Sequence, residues 1–256
     1  MLDVHAPHES IHTWKSFFIH IATISVGLLI AIGLEQTVEA IHRHHQYRKL
    51  DLELHNEALD NKKRAEGDIL WMDRQLAWLL RVKDAVETAR RGHGANSVLL
   101  PRKPPLPVGA LHDRDPVLVA WNTAMQSGGI ALLPHEEALR YSLSYSMAEQ
   151  ELRGDALTIQ AVDEFQSLFI GMSGAPNDIY LTGLSEGQLQ DISRSASRLF
   201  TTLRHQKVFW LLFYSANECT LRPDLSQKGC DTLLATAMKT YPDPDGGLTG
   251  PEFYYD

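Results

Sequence analysis

Residues 17–34 read FFIHIATISVGLLIAIGL and hold no Lys, Arg, Asp, Glu or Pro. As an α-helix rising about 1.5 Å per residue they cover about 27 Å, close to the roughly 30 Å of a hydrocarbon core. Trp14 and Lys15 stand just ahead of the run, and Glu35 closes it. An indole and an ammonium on a long aliphatic stem both suit the headgroup layer. A helix buried in a soluble core rarely stays apolar around its whole circumference for this long. A cleaved signal would carry a basic stretch ahead of it, but residues 1–13 contain no Lys or Arg, and Gly33-Leu34-Glu35 makes a poor cleavage site. An uncleaved single-pass anchor is the expectation, with the lipid bilayer as its first partner.

Within the anchor, Thr23, Gly27 and Ala31 recur every four residues and form one stripe of small side chains. Small residues let a second backbone approach closely in a membrane. The stripe marks the expected packing face for a homodimer or a partner membrane protein, with His20 on the same side.

Downstream, residues 35–91 contain no Pro, and Gly67 is their only Gly. Ala58, Ala65, Ile69, Met72, Leu76, Leu79 and Val86 recur by threes, fours and sevens, and Trp71 and Trp78 widen the stripe. This spacing predicts a core-facing helix that continues the anchor as a stalk and ends near Arg90-Arg91-Gly92. Residues 95–114, with Pro101, Pro104, Pro105 and Pro107, read as a loop. Asp115-Pro116 reads as the start of a helix bearing Leu118, Trp121 and Met125, which stops at Gly128-Gly129. Pro134 opens the next helix, whose inward residues are expected to be Leu139, Leu143 and Met147; its pattern runs on through Ile159, Val162, Phe165 and Phe169. Gly171 to Gly183 reads as a connection. Ser185 and Gln188 form a capping box ahead of a helix with Leu189, Ile192, Ala196, Leu199, Leu203, Trp210 and Phe213 on one stripe. A short helix is expected near Asp231 to Tyr241, and no strand alternation stands out.

The fold class read from this is all-α: a transmembrane helix, a stalk and an antiparallel helical bundle. The expected organisation is a tail at 1–16, the span at 17–34, a long stalk and bundle helix at 35–91, a bundle domain at 92–241 and a flexible tail at 242–256.

Net charge is −8 with histidine neutral, which argues against nucleic acid as a partner. No nucleophile elbow, P-loop or dinucleotide glycine fingerprint occurs, and Ser127-Gly128-Gly129 reads as a helix end. The sequence thus leans away from an enzyme, and no cofactor is expected. Eight of the twelve histidines lie in the first 55 residues. His8-Glu9-Ser10-Ile11-His12 matches H-E-x-x-H, but it lies five residues before the bilayer with no domain ahead of it to form a cleft. The alternative function is a metal- or haem-binding membrane protein, with His8, His12, His42 and His45 as candidate ligands and His20 for a haem between two copies.

Orientation is contested. Arg43, Arg48 and Lys49 follow the span against Lys15 before it, which favours a cytoplasmic bundle. Cys219 and Cys230, if bridged, favour the oxidising, periplasmic side; two reduced thiols are the other reading.

The run Ile11 to His20, leading into Gly27 to Glu35, resembles a group of uncharacterised bacterial membrane proteins with one anchor and a helical region. Ala120-Trp121-Asn122-Thr123-Ala124 with Ser127 to Leu132 resembles the same group's Trp-x-x-Ala and Ser-Gly segment. The resemblance covers about 40 residues. It implies a single-pass protein of the bacterial cytoplasmic membrane and no particular activity. The function expected is a membrane-tethered helical module for protein–protein interaction or envelope assembly.

Overall fold

The computed structural model describes residues 14–92, 97–102, 115–169 and 180–245. The candidate ligands His8 and His12 lie outside the described residues, as do most of the proline-rich loop and residues 246–256. The chain divides into two compact units, residues 1–49 and 50–256.

Helix α1, Trp14–Arg91, is the longest element. Its first part, to Lys49, belongs to the first unit and is one unaccompanied helix. It contains the one helix window among the described residues long and apolar enough to cross a membrane; none of that window is buried. Ile24, Leu28, Leu29, Ile30 and Leu34 are each more than half exposed.

From Leu50 onward the same helix is core. Ten of its sixteen buried residues fall on two heptad lines. One line is Ala58, Ala65, Met72, Leu79 and Val86, and the other is Leu54, Asn61, Asp68, Gln75 and Val82. A 3.5-residue repeat keeps both lines against their neighbours along the helix.

Strand β1, Ser97–Leu99, follows, then α2, Val119–Ser127, and a 3-10 turn, Gly129–Leu132. Helix α3 is His135–Ser167, β2 is Tyr180–Thr182, α4 is Glu186–Thr220 and α5 is Gln227–Thr240. The fold is all-α with one two-stranded antiparallel ribbon, in which Val98 faces Leu181. The ribbon departs from the expectation of no strands. Three-residue strands are too short to show a period of two. Val98, Leu100, Leu181 and Leu184 from this region join the main core.

Contacts set the helix directions. Lys62 meets Glu218, Asp73 meets Lys207 and Arg90 meets Glu186, so α4 runs antiparallel to α1. Gln206 bonds Glu151 and Arg198 meets Glu164, so α4 is antiparallel to α3 as well. Glu57 meets Tyr145 and Trp78 packs edge-on against Phe165, so α1 and α3 are parallel. Described parts of the chain between them lie back along α1. Trp78 Nε1 donates to the Pro101 carbonyl at 2.8 Å, and further down Asn61 grips Val117.

Three expectations need correction. Helix α2 begins at Val119, not at Asp115-Pro116, because Asn61 holds Val117 outside the helix and a residue of α1 supplies the cap. On α3, Leu139 and Leu143 are 56% and 50% exposed; the buried face is Tyr141, Ser144, Tyr145, Ala148 and Glu151. Hydrophobicity pointed to the wrong side because the inner face of α3 is polar and paired. The segment from Pro242 is not loose at its start, since Asp243 is buried and ion-paired. By contrast, the capping box at Ser185 and the buried stripes of α1 and α4 are as the spacing predicts.

Candidate functional site

Residues 14–49 offer the most exposed surface of the described chain. Trp14, Phe17 and Phe18 form an aromatic cluster at the start of the helix, with ring centroids 5.7–5.9 Å apart. Such rings suit a membrane interface. A methyl group placed on Gly27 or Gly33 would meet nothing within 4 Å, so both positions are open to a neighbour. The Thr23 and Thr37 hydroxyls donate to the carbonyls of Ile19 and Gly33 at 2.9 and 2.7 Å. Their polar groups are thereby satisfied within the helix, leaving the methyls outward. A shallow groove of about 480 Å³ runs along Gly33, Gln36, Thr37, Ala40, Ile41 and His44. It lies further along the helix than the expected stripe of Thr23, Gly27 and Ala31, because Gly33 and Ala40 remove side-chain bulk there.

The described histidines of this unit do not converge. His20, His42, His44 and His45 are exposed. His42 Nε2 lies 3.0 Å from Gln46 Nε2, and the His44 and His45 rings are 6.5 Å apart. Among the described residues no group of three or more His, Cys, Asp or Glu could hold a metal ion.

The second unit carries some of its polar side chains inside. Glu57 accepts hydrogen bonds from the Ala120 and Trp121 amides at 2.7 and 3.2 Å and from the Tyr145 hydroxyl. A carboxylate at a helix N-terminus meets free N–H groups and the positive end of the dipole. Trp121 stacks on Tyr145 with centroids 4.6 Å apart. Burial, then the hydrogen bond to Glu57, pushes the Tyr145 phenol far above its ordinary range. Asn61 donates to the Val117 carbonyl at 2.8 Å and accepts from the Val117 amide at 2.7 Å, matching one amide to another.

A second polar group centres on Lys207, whose side chain is fully buried. Its ammonium lies 2.6 Å from Asp73 and 3.2 Å from Asp243, and donates to the Pro242 carbonyl at 3.1 Å. Arg204 meets the other oxygen of Asp243 at 2.6 Å. Burial raises the Asp73 carboxyl, and Lys207 opposes the shift. All three ammonium protons have acceptors, so this lysine is a structural cation and not a free nucleophile. Tyr241 donates to Glu66 at 3.1 Å, and burial with that bond pushes its phenol up to about 12. Neither group was legible in the sequence, because their members come from different helices and share no spacing.

Cys219 and Cys230 form a disulfide that closes the turn between α4 and α5. Arg140 of α3 donates to the carbonyls of Arg222 and Leu225 in the same turn, at 3.1 and 2.7 Å.

No protein-family profile matches the chain, and no curated protein or solved structure is similar to it.

Proposed function

We propose that this is a single-pass protein of the bacterial cytoplasmic membrane, whose helical bundle lies on the oxidising side and acts as a docking module rather than a catalyst. Its first partner in this reading is a second copy, paired through the helix of residues 14–49. The observation that carries the reading is the uncovered apolar surface of that helix, none of which is buried in its own chain. Water disfavours such a surface, whereas a bilayer accepts it. The groove at Gly33, Thr37 and Ala40 supports close helix pairing.

The disulfide supports the side of the membrane. Thiols on the cytoplasmic side are kept reduced. The basic residues pull the other way, but the imbalance is small, and Arg43 is already turned to Glu39 at 3.7 Å. Of the inward-facing ionisable groups, Glu57, Lys207 and Asp243 are engaged in holding the fold, which supports a non-catalytic role.

Membranes from expressing cells, washed with alkaline carbonate, should retain the protein. In intact cells, a maleimide-polymer should label it only after an impermeant reductant has been added. Labelling that requires lysis would overturn the orientation, and labelling of intact cells without reductant would overturn the disulfide. A strictly monomeric mass in detergent, with no crosslinked species in cells, would overturn the docking role.

A further inference from the structure

Residues 241–245, just after α5, read Tyr-Pro-Asp-Pro-Asp and belong to no helix or strand. Pro242 and Pro244 have no N–H to donate. Among the described residues no backbone–backbone hydrogen bond ties 242–245 to the bundle. What holds the segment is recognition of its side chains and one carbonyl. Asp243 turns one oxygen to Lys207 at 3.2 Å and the other to Arg204 at 2.6 Å, and Asp245 lies 3.6 Å from Arg204. Lys207 also donates to the Pro242 carbonyl, and Tyr241 donates to Glu66. Both ion pairs of Arg204 among the described residues therefore go to this segment.

We propose that Arg204 and Lys207 form a binding site for an extended acidic segment of the pattern Asp-x-Asp, and that residues 241–245 are its resident, displaceable occupant. The chain closes its own site, and a partner polypeptide carrying the same pattern takes it by competition. Release leaves Lys207 with Asp73, at 2.6 Å, so the buried lysine keeps a counter-charge. Asp243 and Arg204 regain water together, and desolvation had offset much of their attraction. The site has an open edge: the Arg204 and Asp245 side chains are 24% and 31% exposed, against 0% and 1% for Lys207 and Asp243. Exchange begins at that edge and then reaches Lys207. The start of α5 stays fixed throughout, through Cys219–Cys230 and the bonds of Arg140 to the turn. Its far end is lightly held, since Ala237 and Met238 are the buried residues among those described in α5. Nothing in the exchange depends on how residues 14–49 pair, so the two readings stand or fall separately.

The test uses the full chain in detergent and a fluorescent peptide, Tyr-Pro-Asp-Pro-Asp, followed by anisotropy. Asp243→Asn/Asp245→Asn keeps the shape of the resident segment and removes its charges. This variant should bind the peptide at least about tenfold more tightly than the unaltered chain, whose site is closed. A peptide with asparagine in place of both aspartates should bind neither. No binding to a variant of native helix content, equal binding by variant and unaltered chain, or equal binding of the two peptides overturns the proposal. If the variant loses its helix content, hydrogen exchange of the unaltered chain decides. Residues 236–245 should exchange through local opening, at least about tenfold faster than the interior of α4. One common rate for both overturns displacement. Light scattering should show a mass that the peptide leaves unchanged; a mass that falls would mean that copies exchange this segment, which overturns the resident occupant.

Discussion

Helix α1 contains two regions that obey opposite rules. From Trp14 to Lys49 its apolar side chains face outward and its groove is open. From Leu50 to Arg91 most of its apolar side chains face inward and polar ones join them, ten of the buried positions lying on two heptad lines. The backbone is the same in both. What differs is what surrounds it: no other described element in the first unit, α3 and α4 in the second. The helical backbone satisfies its own hydrogen bonds, so side-chain pattern alone sets which medium each part requires.

Moving one positive charge in each region should separate them. Lys207→Ala leaves the half-buried Asp73 without its cation and the buried Asp243 with Arg204 alone, and should cost the bundle about 3 kcal/mol. Thermal unfolding of the solubilised protein would register this, while carbonate-resistant membrane retention stays intact. Leu29→Lys is the converse: about 3 kcal/mol against insertion at the centre of the span, with bundle unfolding unchanged. If either variant moves both readouts together, the two regions are not independent.

Smaller effects sharpen the contrast inside the second unit. Reducing Cys219–Cys230 removes a short loop closure worth about 3 kcal/mol, as an upper figure, because Arg140 still holds the turn. Denaturant unfolding with and without reductant measures it. Tyr145→Phe removes one of the three donors to Glu57 and should cost about 1–2 kcal/mol. Leu139→Ser/Leu143→Ser changes the exposed side of α3 and should stay within about 0.5 kcal/mol per site, whereas Tyr141→Ser on the buried side should not. A large loss from the leucine pair would mean that a partner covers that face.

How much was legible depends on whether the signal was local. Phe17 to Leu34 could be read because spanning a bilayer needs only length and composition. The stripes of α1 and α4 could be read because both helices bury an apolar face with helical spacing. The start of α2 could not, since its cap is Glu57, more than sixty residues away. The inner face of α3 could not, since Tyr145 and Glu151 become favourable inside only when Glu57 and Gln206 are set opposite them.

The sequence by itself determined an all-α chain with one apolar helix of membrane length, because helical periodicity and hydrophobic length are local properties of the chain. Only the tertiary structure decided that α1 and α3 run parallel, that Lys207 fastens Asp243 to the core, and that Glu57 and Asn61 of α1 belong inside. Those outcomes depend on pairing charges and donors across helices. A buried polar group is costly alone and acceptable once paired, and the pairing partner is not written at any fixed distance along the chain.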